Sequence, residues 1–249
     1  MATEGLSVKV IGHRGIAAMA PENTLAGFRA AARLGVPWVE LDVQLTADGQ
    51  PVVFHDDDLQ RTTNGQGHLV TTPLSVLREL DAGSWFKQSF QGEKIPLLTE
   101  ALTVIAGLGL GLNLEIKADA GRAVRTAGLA LERALEYWPG HLPPPLISSF
   151  SPEALSEAAR LAPHWPRGLL IAGQWRGAVA RARRLGCLSL HVHHGLLSQA
   201  RIAEARAAGL LVLAYTVNSR VLATRLWGWG VQAIFSDRAH LWCGALEPC

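Results

Sequence analysis

Two carboxylates stand two residues apart in an apolar run, Glu40 and Asp42 within Trp38 to Val43, and a second charged pair, Glu115 and Lys117, closes the run Leu112 to Lys117. In an extended strand alternate side chains share a face, so each pair points one way while Leu41, Val43, Leu114 and Ile116 point the other. Three carboxylates gathered on a half-buried face repel one another and lose hydration, a cost of several kcal/mol unless a cation joins them. One hard divalent cation that prefers oxygen donors, Mg2+ or Ca2+, is the natural partner. A single such pair would fit an exposed strand edge or a Glu–Lys ion pair equally well; two same-face pairs on consecutive strands favour the ion. His13 closes the first apolar run and precedes Arg14, while His55 closes Pro51 to Phe54 and precedes Asp56, Asp57 and Asp58. Histidine titrates near neutrality, so a pair can divide the labour, one removing a proton and the other supplying one.

Residues so far apart in the chain need a scaffold that returns repeatedly to one place. Eight short β-rich segments alternate with amphipathic ones: Val8 to Gly12, Trp38 to Val43, Leu112 to Lys117, Leu146 to Phe150, Gly168 to Ala172, Leu188 to His193, Leu211 to Val217 and Ala233 to Ser236. The intervening stretches, among them Thr24 to Leu34, Arg122 to Tyr137 and Gln199 to Ala208, carry apolar residues at helical spacing. Gly35, Gly186 and Gly209 follow three of them as helix stops. This order predicts an α/β fold, a (β/α)8 TIM barrel forming one domain over residues 1–249, whose active sites gather at the C-terminal ends of the strands. An open doubly wound sheet is the competing architecture, but Gly12-His13-Arg14-Gly15 is no dinucleotide fingerprint. After the second strand the alternation breaks, and residues 56–97 read as a small insertion forming the rim of the active site.

Composition narrows the partners. The 249 residues are 49% hydrophobic and 18% charged with a net charge of +2, and no run of Lys and Arg marks a nucleic-acid or anionic-membrane surface. The three cysteines, Cys187, Cys243 and Cys249, are too dispersed for a disulfide framework and suit a reducing compartment. Residues 1–9 lack the pattern of a signal peptide, and no apolar run approaches the ~20 residues of a membrane span. The expectation is a cytoplasmic protein whose partner is a small molecule, with no nucleic acid and no stable membrane insertion; oligomeric state is not legible.

The runs His13-Arg14-Gly15, Pro21-Glu22-Asn23-Thr24, Glu40-Leu41-Asp42-Val43, Thr46-Ala47-Asp48-Gly49, Val52-Val53-Phe54-His55-Asp56 and Glu115-Ile116-Lys117, followed by Tyr215-Thr216-Val217-Asn218 and Ser236-Asp237-Arg238, resemble those of the glycerophosphodiester phosphodiesterase family. The likeness runs in order over roughly Val8 to Ala239, and its short insertion resembles the cytoplasmic members rather than the periplasmic ones. It implies a metal-dependent TIM-barrel hydrolase that splits glycerophosphodiesters, such as glycerophosphocholine and glycerophosphoethanolamine, into sn-glycerol 3-phosphate and an alcohol. Carried over by position, it implies Glu40, Asp42 and Glu115 as metal ligands, His13 and His55 as the acid–base pair, and Arg14 and Lys117 as phosphate contacts. The residue chemistry agrees: Arg offers a forked donor and Lys a point charge. Tyr215 stands where many members have Trp, and Ser236 and Ala239 where many have Thr and Pro, so the departures concern substrate contacts.

Other residues carry weaker signals. Phe150, at a strand end, and Trp85, in the insertion, suit an apolar substrate wall. His191 and His193 share a strand face beside His194, where a wall role is more natural than a transition-metal site without Cys or carboxylate neighbours. Trp227 and Trp229 read as packing, and Arg181, Arg183 and Arg184 as a solvated helix face. Leu69, Val70, Leu74, Leu77, Leu80, Trp85 and Phe86 leave room for a lysophospholipase D with an acyl groove. A non-catalytic phosphate-binding barrel is the third reading, for which a paired acid and base would be superfluous.

Overall fold

The computed structural model describes residues 6–117 and 121–243, so Cys249 lies outside the described residues. Eight parallel strands form the barrel: β1 (Val10–Gly12), β2 (Trp38–Leu45), β4 (Gly111–Ile116), β5 (Leu146–Ser149), β6 (Arg167–Ile171), β7 (Ser189–His193), β8 (Leu211–Tyr215) and β9 (Ala233–Ser236). Each pairs with the next from β2 through β9, β9 pairs with β1, and Gly12 opposite Val39 closes the ring. Around them lie α1 (Leu25–Arg33), α3 (Leu98–Gly107), α4 (Ala123–Tyr137), α5 (Pro152–Leu161), α6 (Ala178–Arg184), α7 (Gln199–Ala207) and α8 (Arg220–Trp229). The expected TIM barrel is therefore present, with strand ends shifted by a residue or two. Gly35, Gly186 and Gly209 take left-handed φ of 74°, 62° and 80°, the conformation that stops a helix cheaply when no Cβ is present. No helix among the described residues is long and apolar enough to cross a membrane.

Strand alternation divides the apolar residues into two cores. Val39, Leu41, Val43, Leu112, Leu114 and Ile116 face outward into one continuous layer beneath the helices. Inside the barrel, Val8, Ile11, Leu146, Leu213, Ala233 and Phe235 form a plug. Further along the same inner faces the side chains turn polar: Glu40, Asn113, Ser148 and His191 are all buried. Asn113 Nδ2 donates to Ser148 Oγ at 2.9 Å, and Ser189 Oγ lies 3.0 Å from His191 Nε2. Burial pushes the His191 imidazole down to about 3, which keeps it neutral in the floor of the site.

The run Pro51 to Phe54 forms β3 (Pro51–Val53), antiparallel to β2 through Val43–Val53 and Leu45–Pro51. The chain then passes through α2 (Leu74–Leu77) and two single-turn helices, Leu69–Thr71 and Gln88–Phe90, before α3. Val52, Phe54, Leu59, Leu69, Leu77, Ala82 and Ile95 bury one another in a separate small core. Gln44, on β2, donates from Nε2 to the carbonyls of Phe54, His55 and Asp56 at 3.1, 3.0 and 2.9 Å, which ties the backbone at His55 to the barrel wall.

Gly168 makes the polar floor possible. A Cβ placed there would lie 2.3 Å from His191 Nε2, and the ring is fully buried with nowhere to retreat. Gly168→Ala should therefore cost about 1–3 kcal/mol in urea unfolding, the range for overpacking a filled interior. Most of that cost should vanish when His191→Ala is already present; an unaltered midpoint in the single variant would contradict the contact.

Candidate active site

Asp42 and Glu115 are direct cross-strand partners and Glu40 pairs with Asn113, so the β2–β4 register alone gathers the three carboxylates. One oxygen from each lies within 4.8 Å of the others. Oxygen ligands of Ca2+ sit at about 2.3–2.6 Å, so two oxygens on one ion can be no farther apart than about 5 Å, and the cluster fits. Glu40 Oε2 accepts the Arg14 backbone N–H at 2.7 Å, whereas Oε1 is buried with no hydrogen-bond partner. An orphaned carboxylate oxygen among two other carboxylates is the donor set of a hard divalent cation. Burial first, then the charges of Asp42 and Glu115, push Glu40 well above the ordinary carboxylate range. Burial and Asp42 likewise push Glu115 up to about 7 against the pull of Lys117 and Arg14. Burial opposes ionisation of Asp42 too, but Arg14, His55, Lys117 and the Asn23 amide outweigh it and hold that group below its usual value.

The turn after β1 supplies the cation nearest the cluster. Arg14 adopts φ of 50° and Asn23 of 56°, left-handed backbone in non-glycine residues. Interlocking bonds hold both: Gly15 N–H donates to the Glu40 carbonyl at 3.0 Å, Asn23 N–H to the Arg14 carbonyl at 3.0 Å, and Asn23 Nδ2 to Asp42 Oδ2 at 2.8 Å. Thr24 then caps α1, its Oγ1 accepting from Gly27 N–H at 3.1 Å. The run Pro21 to Thr24 is thus a bracket: Glu22 accepts from Arg14 Nη1 at 2.7 Å, Asn23 steadies Asp42 and Thr24 starts the helix. Arg14 Nε lies 3.5 Å from Asp42 Oδ2 and makes no hydrogen bond, and Lys117 Nζ stands 3.8 and 3.6 Å from Asp42 and Glu115. Both cations therefore balance charge while keeping donors free for an anion.

Each histidine is anchored through Nδ1 to a carboxylate. His13 Nδ1 lies 2.7 Å from Asp237 Oδ1, and Asn218 holds that carboxylate by donating to its Oδ2 at 2.6 Å. Burial would raise Asp237, but the His13 hydrogen bond and charge prevail and keep it below the usual carboxylate range. His55 Nδ1 lies 2.6 Å from Asp56 Oδ1. Burial lowers the His55 pKa, with Arg14 and Lys117 adding to that and Asp42 and Asp56 opposing it.

Three openings converge here. A small cavity of about 30 Å3 is lined by His13, Glu40, Asn113, Glu115, His191 and Tyr215 among others. His13 also borders a cleft of about 480 Å3 that reaches Trp85, Phe86 and Arg238, and Glu115 one of about 240 Å3 that reaches Lys117 and Phe150. Phe150 packs edge-on against Tyr215 with ring centroids 6.3 Å apart, and the Tyr215 hydroxyl donates to the Ile171 carbonyl at 2.9 Å. His193 instead stacks on His194 at the exposed rim, so the three late histidines do not converge. Leu69 and Leu77 are consumed by the core of the insertion, with Leu74 and Leu80 packed against it, which leaves Trp85 and Phe86 as its apolar contribution to the cleft. Sequence reasoning missed Glu22, Asn23 and Asp237 as partners of Arg14, Asp42 and His13, although all three lie in runs it singled out. It assigned no role to Arg61 or Gln44, because nothing in the local pattern shows what their side chains reach.

The model of the glycerophosphoryl diester phosphodiesterase family matches residues 13–241. A glycerophosphodiester phosphodiesterase of Caldanaerobacter subterraneus is 34% identical over 92% of this chain and 93% of its own length. Among solved structures, an Oleispira antarctica phosphodiesterase in complex with the product sn-glycerol-3-phosphate is 43% identical, with a TM-score of 0.91 and 94% of each chain covered. A glycerophosphodiester phosphodiesterase from Agrobacterium tumefaciens is 29% identical, with a TM-score of 0.77 over 96% of this chain and all of that one.

Glu115 titrates at about 7 in the fold against an ordinary 4.5, so between these values the folded chain binds more protons than the unfolded one. Its stabilising proton is fully present below the unfolded value and lost as pH rises through the folded one. With chelator present, the melting temperature should fall between roughly pH 5 and pH 8, and Ca2+ or Mg2+ should flatten that slope by replacing the protons. A chelated melt with no pH dependence across this window would contradict the crowding of the carboxylates.

Proposed function

Because this chain belongs to the glycerophosphoryl diester phosphodiesterase family, we propose that it hydrolyses glycerophosphodiesters such as glycerophosphocholine and glycerophosphoethanolamine to sn-glycerol 3-phosphate and the alcohol. The observation that carries this reading is the carboxylate cluster with an orphaned oxygen, flanked by two carboxylate-anchored histidines and two cations with free donors. Glu40, Asp42 and Glu115 would hold one divalent ion, Mg2+ or Ca2+, which when bound supplies charge neutralisation at the phosphoryl oxygens. Arg14 and Lys117 direct their free N–H groups at the phosphate. Phe150 and Tyr215 wall the substrate, and residues 56–97 form the rim of the site. The dispersed, free Cys187 and Cys243 suit the reducing cytoplasm.

His13 and His55 move the protons. The glycerol 2-hydroxyl lies next to the esterified oxygen and needs no bimolecular encounter, so its attack has a large entropic advantage over attack by free water. Its oxygen bonds to phosphorus as its proton passes to one histidine, the bond from phosphorus to the departing alcohol breaks, and the other histidine protonates that alcohol. Water then opens the cyclic glycerol phosphate with the two roles reversed, which restores both histidines. Nδ1 anchoring leaves Nε2 of each ring for this work.

A panel of glycerophosphodiesters and one lysophospholipid, assayed for products with and without chelator, tests the activity. Glycerol 3-phosphate release that chelation abolishes is expected, and full activity after exhaustive chelation would contradict the ion. His13→Gln and His55→Gln should each lower turnover by about 10²- to 10⁴-fold while cation affinity survives. A substrate lacking the glycerol 2-hydroxyl should bind comparably yet turn over far more slowly; hydrolysis at the normal rate would leave direct attack by water.

A further inference from the structure

Arg61 stands in the insertion with its side chain about half exposed, yet all three of its guanidinium nitrogens donate hydrogen bonds. Nη1 and Nη2 donate to the two oxygens of Glu22 at 2.8 and 2.7 Å, and Nη2 and Nε donate to the two oxygens of Asp56, the former at 2.9 Å. Each of those carboxylates has a second partner in the candidate site. Glu22 Oε1 also accepts from Arg14 Nη1 at 2.7 Å, and Asp56 Oδ1 lies 2.6 Å from His55 Nδ1. An unbroken hydrogen-bonded path therefore runs Arg14–Glu22–Arg61–Asp56–His55, joining the turn after β1 to the insertion. His13 has its own anchor in Asp237, held by the neutral amide of Asn218.

An isolated exposed ion pair contributes little to stability, so stability is a weak explanation for a side chain held this tightly. Geometry is a better one, because a planar fork that grips two carboxylates fixes the orientation of both. Without that grip, the full charge of Glu22 would fall on Arg14 and draw its guanidinium away from an incoming phosphate. Asp56 would be free to rotate, and the His55 ring would lose the partner that orients Nδ1. Lys cannot replace the grip, since a single ammonium carries no preformed fork.

We propose that Arg61 is a positioning residue that aims Arg14 and His55 together, so that phosphate binding and proton transfer are set by one side chain of the insertion. This rests on the phosphodiesterase reading for its consequences in turnover, but not for its consequences in geometry. Folded Arg61→Gln should lose kcat by roughly 10- to 100-fold, the range for groups that orient a functional side chain through a hydrogen bond, and bind sn-glycerol 3-phosphate several-fold more weakly in calorimetry. Arg61→Lys should restore only part of each loss. Asp56→Asn, which weakens the His55 arm and one side of the Arg61 grip but leaves both Arg61–Glu22 hydrogen bonds available, should lower kcat while leaving product affinity within about twofold of the unaltered enzyme. Proton NMR of the histidine rings supplies a readout independent of activity: the His55 Nδ1–H signal should be displaced or lost in Arg61→Gln and unchanged in the remote Arg133→Gln. Folded Arg61→Gln with unaltered kcat, product affinity and His55 signal would overturn the proposal. An unaltered enzyme that cleaves no glycerophosphodiester would overturn the function instead, and the NMR comparison would still decide the role of Arg61.

Discussion

Three carboxylates crowd into one buried space, and the surroundings are arranged around that repulsion. Their oxygens approach within 4.8 Å, Glu40 and Asp42 are almost fully buried, and one oxygen of Glu40 has nothing to bond to. Arg14 and Lys117 offset the charge from distances too long for tight pairing. The unbalanced remainder appears as protons: Glu40 and Glu115 are pushed up while Asp42, favoured by the cations and by Asn23, stays low. A site that holds protons where it could hold a divalent ion exchanges one for the other, so proton uptake and cation binding oppose each other.

The barrel makes this crowding affordable because the expense is local. A packed plug on the inner faces and a continuous apolar layer outside β2 and β4 stabilise the strands independently of the charges. The parallel register sets Asp42 opposite Glu115 whatever their ionisation. Strained backbone at Arg14 and Asn23 is held in the same way, by hydrogen bonds that radiate from Glu40 and Asp42. The cluster, the turn after β1 and the bracket before α1 are therefore one mechanical unit, and Arg61 extends it into the insertion.

Much of this was legible in the chain order. Eight alternating segments and their glycine stops marked the barrel, and period-two alternation placed Glu40, Asp42, Glu115 and Lys117 on one inner face. What stayed hidden was partnership. His13 and Asp237 are 224 residues apart, and only closure of the barrel between β9 and β1 brings them together. Arg61 sits in a polar loop whose local pattern resembles any solvated turn, and its partner Glu22, 39 residues away, meets it only in the folded chain. Gly168 looked like an ordinary strand glycine, because its reason is the His191 ring lying against it from the next strand. Local periodicity reports faces; cross-barrel contacts require the closed ring.

If the three carboxylates form a single cation site, Mn2+ offers the most direct measurement of it, as a paramagnetic oxygen-seeking stand-in for Mg2+ or Ca2+. Titration of the chelated protein followed by electron paramagnetic resonance should show one Mn2+ bound per chain, displaceable by Mg2+ or Ca2+. Binding should be lost when Glu40, Asp42 and Glu115 are replaced together by their amides in a chain that still folds. Absence of tight binding in the unaltered protein, or its survival in the triple variant, would contradict the account.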